Sequence, residues 1–500
     1  MKQLQKTIKN NFRTISTVLV LGLLLLTTQV QAAGTIYVNA SASGSNDGTS
    51  WTNAYTSLQS ALKASTSGDE IWVAAGTYYP DVGTGQTDND RDSTFLLVSG
   101  VTVYGGFAGT ETASTQQDYS TNVTILDGDI GTVGTESDNA YHVVTGANDA
   151  VLDGFTIQNG YSVQTGPGGR NKQARVSSSM EAIISGAGSG SGGGVLNFQT
   201  APTLRNLIIK NNKAGKGGGM YNMSGYSDGS SYGRYTAATL ENVTIESNSA
   251  TTRGGGMSND YSDPTMTNVK FISNTTDSKG GGMYNDFDAN PTMTNCLFVS
   301  NSAERAGAMG NDGASDPVIT NCTFTKNHAN DIGAGLYQGS GSSNDPVVTN
   351  SILWGNTLSY NGPKDISNFH ETEAHITYSI IEDGHTGTGN LTSNPLFVDA
   401  ANGDYSLSNG SPAINTGTDT GAKTTDLDGS SRVGTRTWEP TNIRGHRLQP
   451  TPQLPQPVPL PQLPQPVHQH QLPQPVHQHQ PPQPIHQHQL PQPIHQHQQP

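Results

Sequence analysis

A glycine phrase that ends in a hydrophobic residue and Asn recurs between residues 190 and 360, alternating with a phrase of the form Asn-x-x-apolar-x-x-Asn. The glycine phrase reads GGGVLN at 192–197, GGGMYN at 217–222, GGGMSN at 254–259, GGGMYN at 280–285, GAMGN at 307–311 and GAGLYQ at 333–338. The second phrase begins at Asn206, Asn242, Asn268, Asn295, Asn321 and Asn350, with steps of 36, 26, 27, 26 and 29 residues. Self-similarity at this period predicts a solenoid of stacked units.

The second phrase has the period of a strand. In Val269-Lys270-Phe271 the first and third residues are apolar, and the residue at the middle position varies from coil to coil. The first and third side chains are therefore expected to face the core and the middle one to face outward. Glycine suits the corners because it reaches positive φ without a steric penalty. A repeat of about 26 residues then fits one turn of an all-β parallel β-helix.

Equivalent residues of neighbouring coils are expected about 4.8 Å apart, in columns. Phe271, Phe298 and Phe324 should stack inside the helix. Two asparagine columns are interpreted as hydrogen-bonded ladders rather than ligands, namely Asn268, Asn295 and Asn321, and Asn274, Asn301 and Asn327.

The two cysteines, Cys296 and Cys322, hold the same inward position in adjacent coils. Their predicted separation allows a disulfide in an oxidising compartment. Val243 and Val269 occupy the same column, which favours a small buried hydrophobe over a bond.

FISN at Phe271, FVSN at Phe298 and FTKN at Phe324, each paired with a glycine phrase, resemble the polymorphic outer membrane protein repeat. The resemblance covers residues 190–360, and the flanks look like those of bacterial pectate-lyase-like right-handed β-helix proteins. It implies a right-handed parallel β-helix that is secreted or displayed at the cell surface, in association with the bacterial outer membrane.

The chain divides into six segments. Residues 1–32 read as a signal peptide, with four basic residues, an apolar run and Val-Gln-Ala before the cleavage site. Residues 33–160 should form the first coils under a capping helix at about 55–65, because an open solenoid end exposes its core. A polar insertion at 161–191, the repeat array at 192–360 and closing coils at 361–434 follow.

From 435 to 500 the chain is a Pro/Gln/His tail of low complexity, expected to be disordered. A shift of one nucleotide would let the codons for 437–443 encode Asp-Met-Gly-Ala-Tyr-Glu-Tyr, which resembles the usual ending of such chains. It would also turn the tail into a Ser/Pro/Thr/Ala linker. The tail is therefore read as out of frame, with a genuine Pro/His/Gln tail as the alternative. Tail peptides together with an uninterrupted reading frame would contradict the shift.

Charge excludes some partners. Of 25 basic residues the signal peptide removes four, leaving 21 against 40 acidic residues, a net charge of −19. An acidic secreted chain is a poor candidate for binding nucleic acid or anionic membranes. The apolar run of the signal is too short to remain as a membrane span, so the mature chain should have no transmembrane segment.

Catalytic machinery is not evident, and no catalytic residue or cofactor is assigned. Lyases on this scaffold combine clustered carboxylates with an Arg or Lys base, and hydrolases use paired carboxylates. The basic residues of the array do not recur beside acids in the strand phrases. Asp127, Asp129 and Asp153 fit turn chemistry, and His142 and His328 fit wall or surface positions better than general bases. The HQH tract of the tail allows only loose metal chelation.

Three aspartates form the one candidate metal site. Asp260, Asp286 and Asp312 each follow a glycine phrase, and as a column they would repel one another unless a cation lies between them. Calcium suits such oxygen ligands, although Asp at these positions also suits a turn that faces water.

Two functions remain open because a fold alone does not choose between them. The first is a secreted or surface binding, adhesion or envelope protein, whose partner is an extracellular carbohydrate or a cell-surface ligand. The alternative is a carbohydrate-active enzyme, a polysaccharide lyase or glycoside hydrolase. Without an acid/base cluster the first is favoured, and the protein is not expected to be an enzyme.

Overall fold

A computed structural model describes residues 33–163, 190–224, 237–339, 346–368, 375–419 and 423–427. The chain divides into two compact units, Met1–Leu448 and Gln449–Pro500, and every described residue belongs to the first. The predicted signal peptide and the Pro/Gln/His tail lie outside the described residues.

The fold is a right-handed parallel β-helix, as predicted. Each coil of the array contributes one strand to each of four parallel sheets, named A, B, D and C in the order in which the chain passes through them. Sheet A contains Thr35–Val38, Glu70–Ala74, Thr102–Phe107, Val151–Asp153, Thr203–Arg205, Thr239–Glu241, Thr265–Thr267, Thr292–Thr294, Val318–Thr320, Val347–Thr349 and His375–Thr377. Sheet B contains Gly76–Tyr78, Thr124–Asp127, Thr156–Gln158, Ile208–Lys210, Thr244–Glu246, Lys270–Ile272, Leu297–Val299, Thr323–Thr325, Ile352–Trp354 and Ile380–Ile381.

The other two sheets are shorter. Sheet D contains Tyr161–Ser162, Lys213–Lys216, Ser249–Arg253, Thr275–Thr276, Ser302–Arg305, His328–Ile332 and Thr357–Leu358. Sheet C contains Phe95–Leu96, Val144–Thr145, Val195–Phe198, Met220–Met223, Met257–Asp260, Met283–Asp286, Met309–Asn311, Leu336–Gln338 and Ile366–Asn368. The ends of the predicted insertion at 161–191 thus belong to the solenoid, since Tyr161–Ser162 is a strand and Ser191 pairs with Lys216.

The helix Leu58–Ala64 lies within the predicted range and covers the N-terminal end of the core. The Ser57 hydroxyl accepts a hydrogen bond from the backbone N–H of Ser60 and so caps the first turn. Leu58, Ala61 and Leu62, spaced to share one face, are buried in the hydrophobic core that continues through the solenoid. Short 3₁₀ helices occur at Ser114–Gln116, Glu136–Asp138 and Ala400–Asn402.

The inward columns confirm the predicted stacking. The ring centroids of Phe271 and Phe298 are 4.5 Å apart, and those of Phe298 and Phe324 are 4.7 Å apart, with nearly parallel planes. Cys296 and Cys322 are fully buried in one column, and both thiols are free. The Cys296 backbone N–H donates to Cys322 Sγ over 3.3 Å, so the second thiol serves as a hydrogen-bond acceptor in the core.

Both predicted asparagine columns form ladders. The first is exposed or half-buried up to Asn268 and buried from Asn295 onward, and the second is buried throughout. The ladder that includes Asn268 lies at the bend between sheets A and B, where each asparagine has positive φ, a conformation that Asn tolerates well. The ladder that includes Asn301 is buried, and its amides bond from coil to coil at 2.9–3.0 Å. A third buried ladder, in sheet C, joins the asparagines of the glycine phrases at 2.7–2.8 Å.

The closing region differs from the predicted run of coils. Ile366–Asn368, His375–Thr377 and Ile380–Ile381 continue the sheets. Phe397–Asp399 and Asp404–Leu407 instead pair antiparallel with each other. Apolar residues of this hairpin segment pack on the outer face of sheet B, where Leu297, Val299, Ile352 and Ile380 point outward. The hairpin lies on the outside because that part of sheet B is apolar on both faces.

Candidate functional site

Four basic residues stack in one column where sheet D turns into sheet C. Lys216 pairs with Arg253, Arg253 with Lys279, and Lys279 with Arg305 in adjacent coils. In the sequence each stands immediately before a glycine phrase, or one residue earlier in the Arg305 coil. This column was not anticipated, because the search for recurring basic residues considered the strand phrases and these four residues lie outside them.

Beside the basic column, the outward position of sheet C alternates between tyrosine and a small residue. The column reads Tyr221, Ser258, Tyr284, Gly310 and Tyr337. A Cβ atom on Gly310 would lie 3.1 Å from Cδ2 of Tyr284, because that ring extends over the following coil. A tyrosine in one coil thus requires a small residue in the next, and the site repeats every second coil.

The three predicted aspartates complete the face. Asp260 Oδ2 accepts hydrogen bonds from the Tyr221 hydroxyl (2.7 Å) and the Lys216 ammonium (3.2 Å). Two coils later, Asp312 Oδ2 accepts the equivalent hydrogen bonds from the Lys279 ammonium (2.6 Å) and the Tyr284 hydroxyl. Two equivalent Lys–Tyr–Asp groups therefore bridge adjacent coils.

Arg253 links the two groups. Its guanidinium lies 3.6 Å from Asp260 Oδ2 and is in direct contact with Asp286 Oδ2. We call the whole set the charged stripe, defined by the basic residues Lys216, Arg253, Lys279 and Arg305, the tyrosines Tyr221, Tyr284 and Tyr337, and the acids Asp260, Asp286 and Asp312.

Burial and pairing decide the protonation states in the stripe. Burial disfavours the charged form of Arg253, but the carboxylates of Asp260 and Asp286 outweigh it and hold its pKa above the ordinary value. Burial and the neighbouring Asp312 raise the pKa of Tyr284, so this tyrosine stays protonated and acts as a donor. Burial also raises the pKa of Asp286, with Arg253 opposing the shift. Neither Arg253 nor Tyr284 is poised as a general base.

Of the three aspartates predicted to bind metal, Asp260 and Asp286 stack as paired residues of adjacent strands, and Asp312 directly follows the end of the next strand. Each of the three carboxylates is already in contact with a lysine or arginine. Within the part of the chain that the structure describes, no group of three or more His, Cys, Asp or Glu side chains is arranged to hold a metal ion. Among the oxygens of these three carboxylates, only Asp260 Oδ1 is buried without a hydrogen-bond partner, so a cation shared by the aspartates would have to displace the basic side chains.

Calcium binding stays a prediction. If calcium enters the stripe, adding it should raise the melting temperature, since a ligand that binds only the folded chain stabilises it. A chelator should reverse the rise, and magnesium, which demands a stricter geometry, should have a smaller effect. An unchanged melting temperature in both calcium and chelator would show that the aspartates serve only their basic partners.

A stacked aromatic pair borders the stripe and was not anticipated from the sequence. The rings of Tyr261 and Phe287 are 4.9 Å apart and nearly parallel, and Phe287 is 41% exposed. The Arg253 guanidinium lies 5.8 Å from the Phe287 ring centroid. The signal was the aromatic residue directly after Asn-Asp in two successive glycine phrases.

The other candidates have structural roles. Asp127 accepts hydrogen bonds from Gln158 and Asn159 side chains and from the Asp129 backbone, in keeping with turn chemistry. Asp153 forms an ion pair with Arg205. His142 is buried in the wall. The HQH tract lies outside the described residues.

His328, the second histidine considered, lies on sheet D, where its ring nitrogens contact Thr357 and Asn330. These neighbours are neutral, so no carboxylate orients the ring as it would in a catalytic dyad. His328 therefore matches the predicted surface position.

No protein-family model matches the chain, and no curated protein matches it. Solved structures that are similar in chain trace include two lyases. Pectate lyase Pel9A is 14% identical, with 83% of this chain and 98% of that chain covered and a TM-score of 0.48. A rhamnogalacturonan lyase is 12% identical, with 73% and 91% covered and a TM-score of 0.34. The resemblance to the polymorphic outer membrane protein repeat therefore rests on the motifs alone.

Replacing Asp312 with alanine should destabilise the protein by about 2–3 kcal/mol, because Lys279 and the buried Tyr284 hydroxyl lose their shared acceptor. The matched control is Asp331→Ala, which breaks the Arg305–Asp331 pair, where both side chains are more than 40% exposed. Exposed pairs contribute about 0–1 kcal/mol. Denaturant midpoints compare the two variants, and equal midpoints would contradict a structural role for the buried group.

Proposed function

We propose that the protein is an exported β-helix that binds an acidic polysaccharide along the charged stripe. The observation that carries the proposal is the column of four basic residues at one-coil spacing, bordered by a stacked aromatic pair whose Phe287 ring is exposed, on a chain whose net charge is −15. Such a column matches a polymer with regularly spaced negative charges, since adjacent coils are about 4.8 Å apart, close to the length of one sugar residue.

The stripe has both a fixed and an accessible part. The aspartates and tyrosines are buried and hold the basic side chains in place, while the lysine and arginine ends remain partly open, with Lys279 at 31% and Arg305 at 44% side-chain exposure. Phe287 adds an exposed ring, and aromatic rings pack well against the apolar face of a sugar. Preorganised charges of this kind favour binding, because little side-chain entropy is lost on contact.

The alternative is cleavage of such a polysaccharide by a lyase or hydrolase. The carboxylates and basic residues that lie side by side in the stripe are a reason to test for cleavage, since residues of these types can act as the general base that takes a proton from an acidic sugar. Against it, the paired Arg253 is held in its protonated form. The predicted export, which the signal peptide supports, is shared by both functions. No helix among the described residues is long and apolar enough to cross a bilayer.

The test measures binding of the full-length secreted chain to polygalacturonate, alginate and neutral dextran by affinity electrophoresis. Arg305→Gln and Phe287→Ala together should weaken binding to the acidic polymers by about tenfold, or about 1.4 kcal/mol, without disturbing the buried pairs. The matched control is Lys210→Gln with Ile208→Ala, a half-buried lysine and an exposed isoleucine on the outer face of sheet B. Equal binding of acidic and neutral polymers, or equal loss in both variants, would contradict the proposal.

The same samples are followed for unsaturated products and new reducing ends. Turnover that disappears in Asp286→Asn would establish the enzymatic alternative instead. Binding without turnover supports the binding function.

A further inference from the structure

The outer face of sheet A carries two columns of threonine and valine. The first column reads Thr203, Thr239, Thr265, Thr292, Val318 and Val347. The second column reads Thr267, Thr294, Thr320, Thr349 and Thr377. The four coils from Thr265–Thr267 to Val347–Thr349 therefore present eight outward positions, of which six are threonine and two are valine. We call this area the threonine face.

The threonine face is free of charge, in contrast to the coils before it. In earlier coils the second column holds Asp153, Arg205 and Glu241, which form an alternating charged row. From Thr267 onward each of these positions is threonine. A charged polymer or a charged protein surface thus has no complementary group on this face, which points to a neutral partner.

Among the described residues, the first column of the threonine face is exposed from Thr265 to Val347 and the second column is half-buried, although the chain covers neighbouring apolar surface elsewhere. The C-terminal hairpin packs over the apolar part of sheet B, and the rings of Tyr37, Trp51 and Trp72 cover the first coils of sheet A. Val318 and Val347 nevertheless remain 40% and 39% exposed. The sheet therefore exposes methyl groups to solvent beside its ordered threonine hydroxyls.

The face is rigid and regular in two dimensions. Beneath it Met266, Met293, Ile319 and Val348 are fully buried, and the strands pair without a bulge from coil to coil. The repeat is about 4.8 Å between coils and about 6.7 Å between alternate residues along a strand. Threonine and valine have few χ1 choices, so their hydroxyl and methyl groups hold fixed positions.

We propose that the threonine face binds ice. A regular lattice of fixed hydroxyls and methyls orders the adjacent water, and the coil repeat is close to the oxygen repeat along the a axis of hexagonal ice. The bound partner is then a crystal plane of water, which is neutral, hydrogen-bonding and periodic in two dimensions. This activity is independent of the charged stripe, which lies on sheet C.

The experiment observes single ice crystals grown in solutions of the full-length chain and follows recrystallisation of fine-grained ice. Wild-type protein should shape crystals into facets and halt coarsening. Thr294→Lys, at the centre of the face, should abolish both effects while the denaturant concentration at the midpoint of unfolding stays unchanged. Thr275→Lys, an exposed threonine in sheet D of the preceding coil, is the matched control and should retain them.

Three outcomes would overturn the inference. The first is ice that grows as in buffer at every soluble concentration of the wild type. The second is equal loss of shaping in Thr294→Lys and Thr275→Lys. The third is co-sedimentation with crystalline cellulose or chitin, lost in Thr294→Lys, in the absence of ice shaping, which would assign the face to a polysaccharide crystal.

Discussion

Replacing Asn301 with alanine is expected to destabilise the protein by about 3–5 kcal/mol, because its side chain makes four buried hydrogen bonds. Its oxygen accepts from the backbone N–H and the side-chain amide of Asn274, both at 3.0 Å. Its amide donates to the Phe271 carbonyl and to Asn327 Oδ1, both at 2.9 Å. Alanine leaves the Asn274 backbone N–H buried without its acceptor, and it removes one hydrogen bond each from the Asn274 amide and the Phe271 carbonyl. A buried group that loses its partner costs about 1–3 kcal/mol.

The matched control is Asn268→Gly in the ladder between sheets A and B. Asn268 has a φ of 57°, which glycine adopts freely, so the change removes the side chain without backbone strain. Its two amide bonds, at 2.9 and 3.1 Å, lie at a bend where water can replace them, and the expected loss is within about 1 kcal/mol. Urea midpoints followed by circular dichroism compare both variants. A loss at Asn268 as large as that at Asn301 would refute the difference in burial as the cause.

The repeat made the fold predictable, because the same local strand pattern recurs in every coil and places equivalent residues above one another. The stacking of Phe271, Phe298 and Phe324 followed from the period of two within each strand and the period of about 26 between strands. The C-terminal hairpin did not follow, since an antiparallel pair that packs on the outside of a solenoid obeys neither period.

The charged stripe was missed for a physical reason. Its ion pairs join residues of different coils, with Arg253 and Asp286, and likewise Lys279 and Asp312, 33 residues apart. A basic residue just before the glycines looks isolated within its own coil, because its partner comes one coil later. The calcium prediction considered the repulsion among Asp260, Asp286 and Asp312 but not the basic column that faces them.

A second large effect is expected from Asp365→Asn, as a change in how stability depends on pH. Asp365 is fully buried at the end of the Asn301 ladder, where Asn356 donates to its Oδ1 over 2.9 Å. Burial raises its pKa to about 7, with the nearby Asp383 contributing, although the Asn356 hydrogen bond opposes the shift. The folded state therefore binds a proton that the unfolded state, with a pKa near 3.8, has already released. The free energy of unfolding should fall as pH rises from about 4 to about 7.

His142 should produce the opposite slope over much of the same range. It is fully buried, and burial lowers its pKa to about 4 from 6.5, although a hydrogen bond to the Gly192 carbonyl opposes the shift. Here the unfolded state binds more protons, so stability is complete above pH 6.5 and is lost as pH falls toward 4. Each shift corresponds to a few kcal/mol, and in the wild type the two slopes should largely cancel between pH 4 and 6.5.

Urea unfolding between pH 4 and 8 separates the two groups. Asp365→Asn mimics the protonated carboxyl, so it should stabilise the protein at pH 8 and leave a curve that rises from pH 4 to 6.5 because of His142. His142→Asn keeps a donor for the Gly192 carbonyl and should leave a curve that falls from about pH 4 to 7 because of Asp365. Asp331→Asn and His328→Asn, which change partly exposed side chains, are the matched controls and should run parallel to the wild type. If the Asp365 and His142 variants also run parallel to the wild type, buried titration does not govern the acid stability of this solenoid, and the compensation between the two groups is disproved.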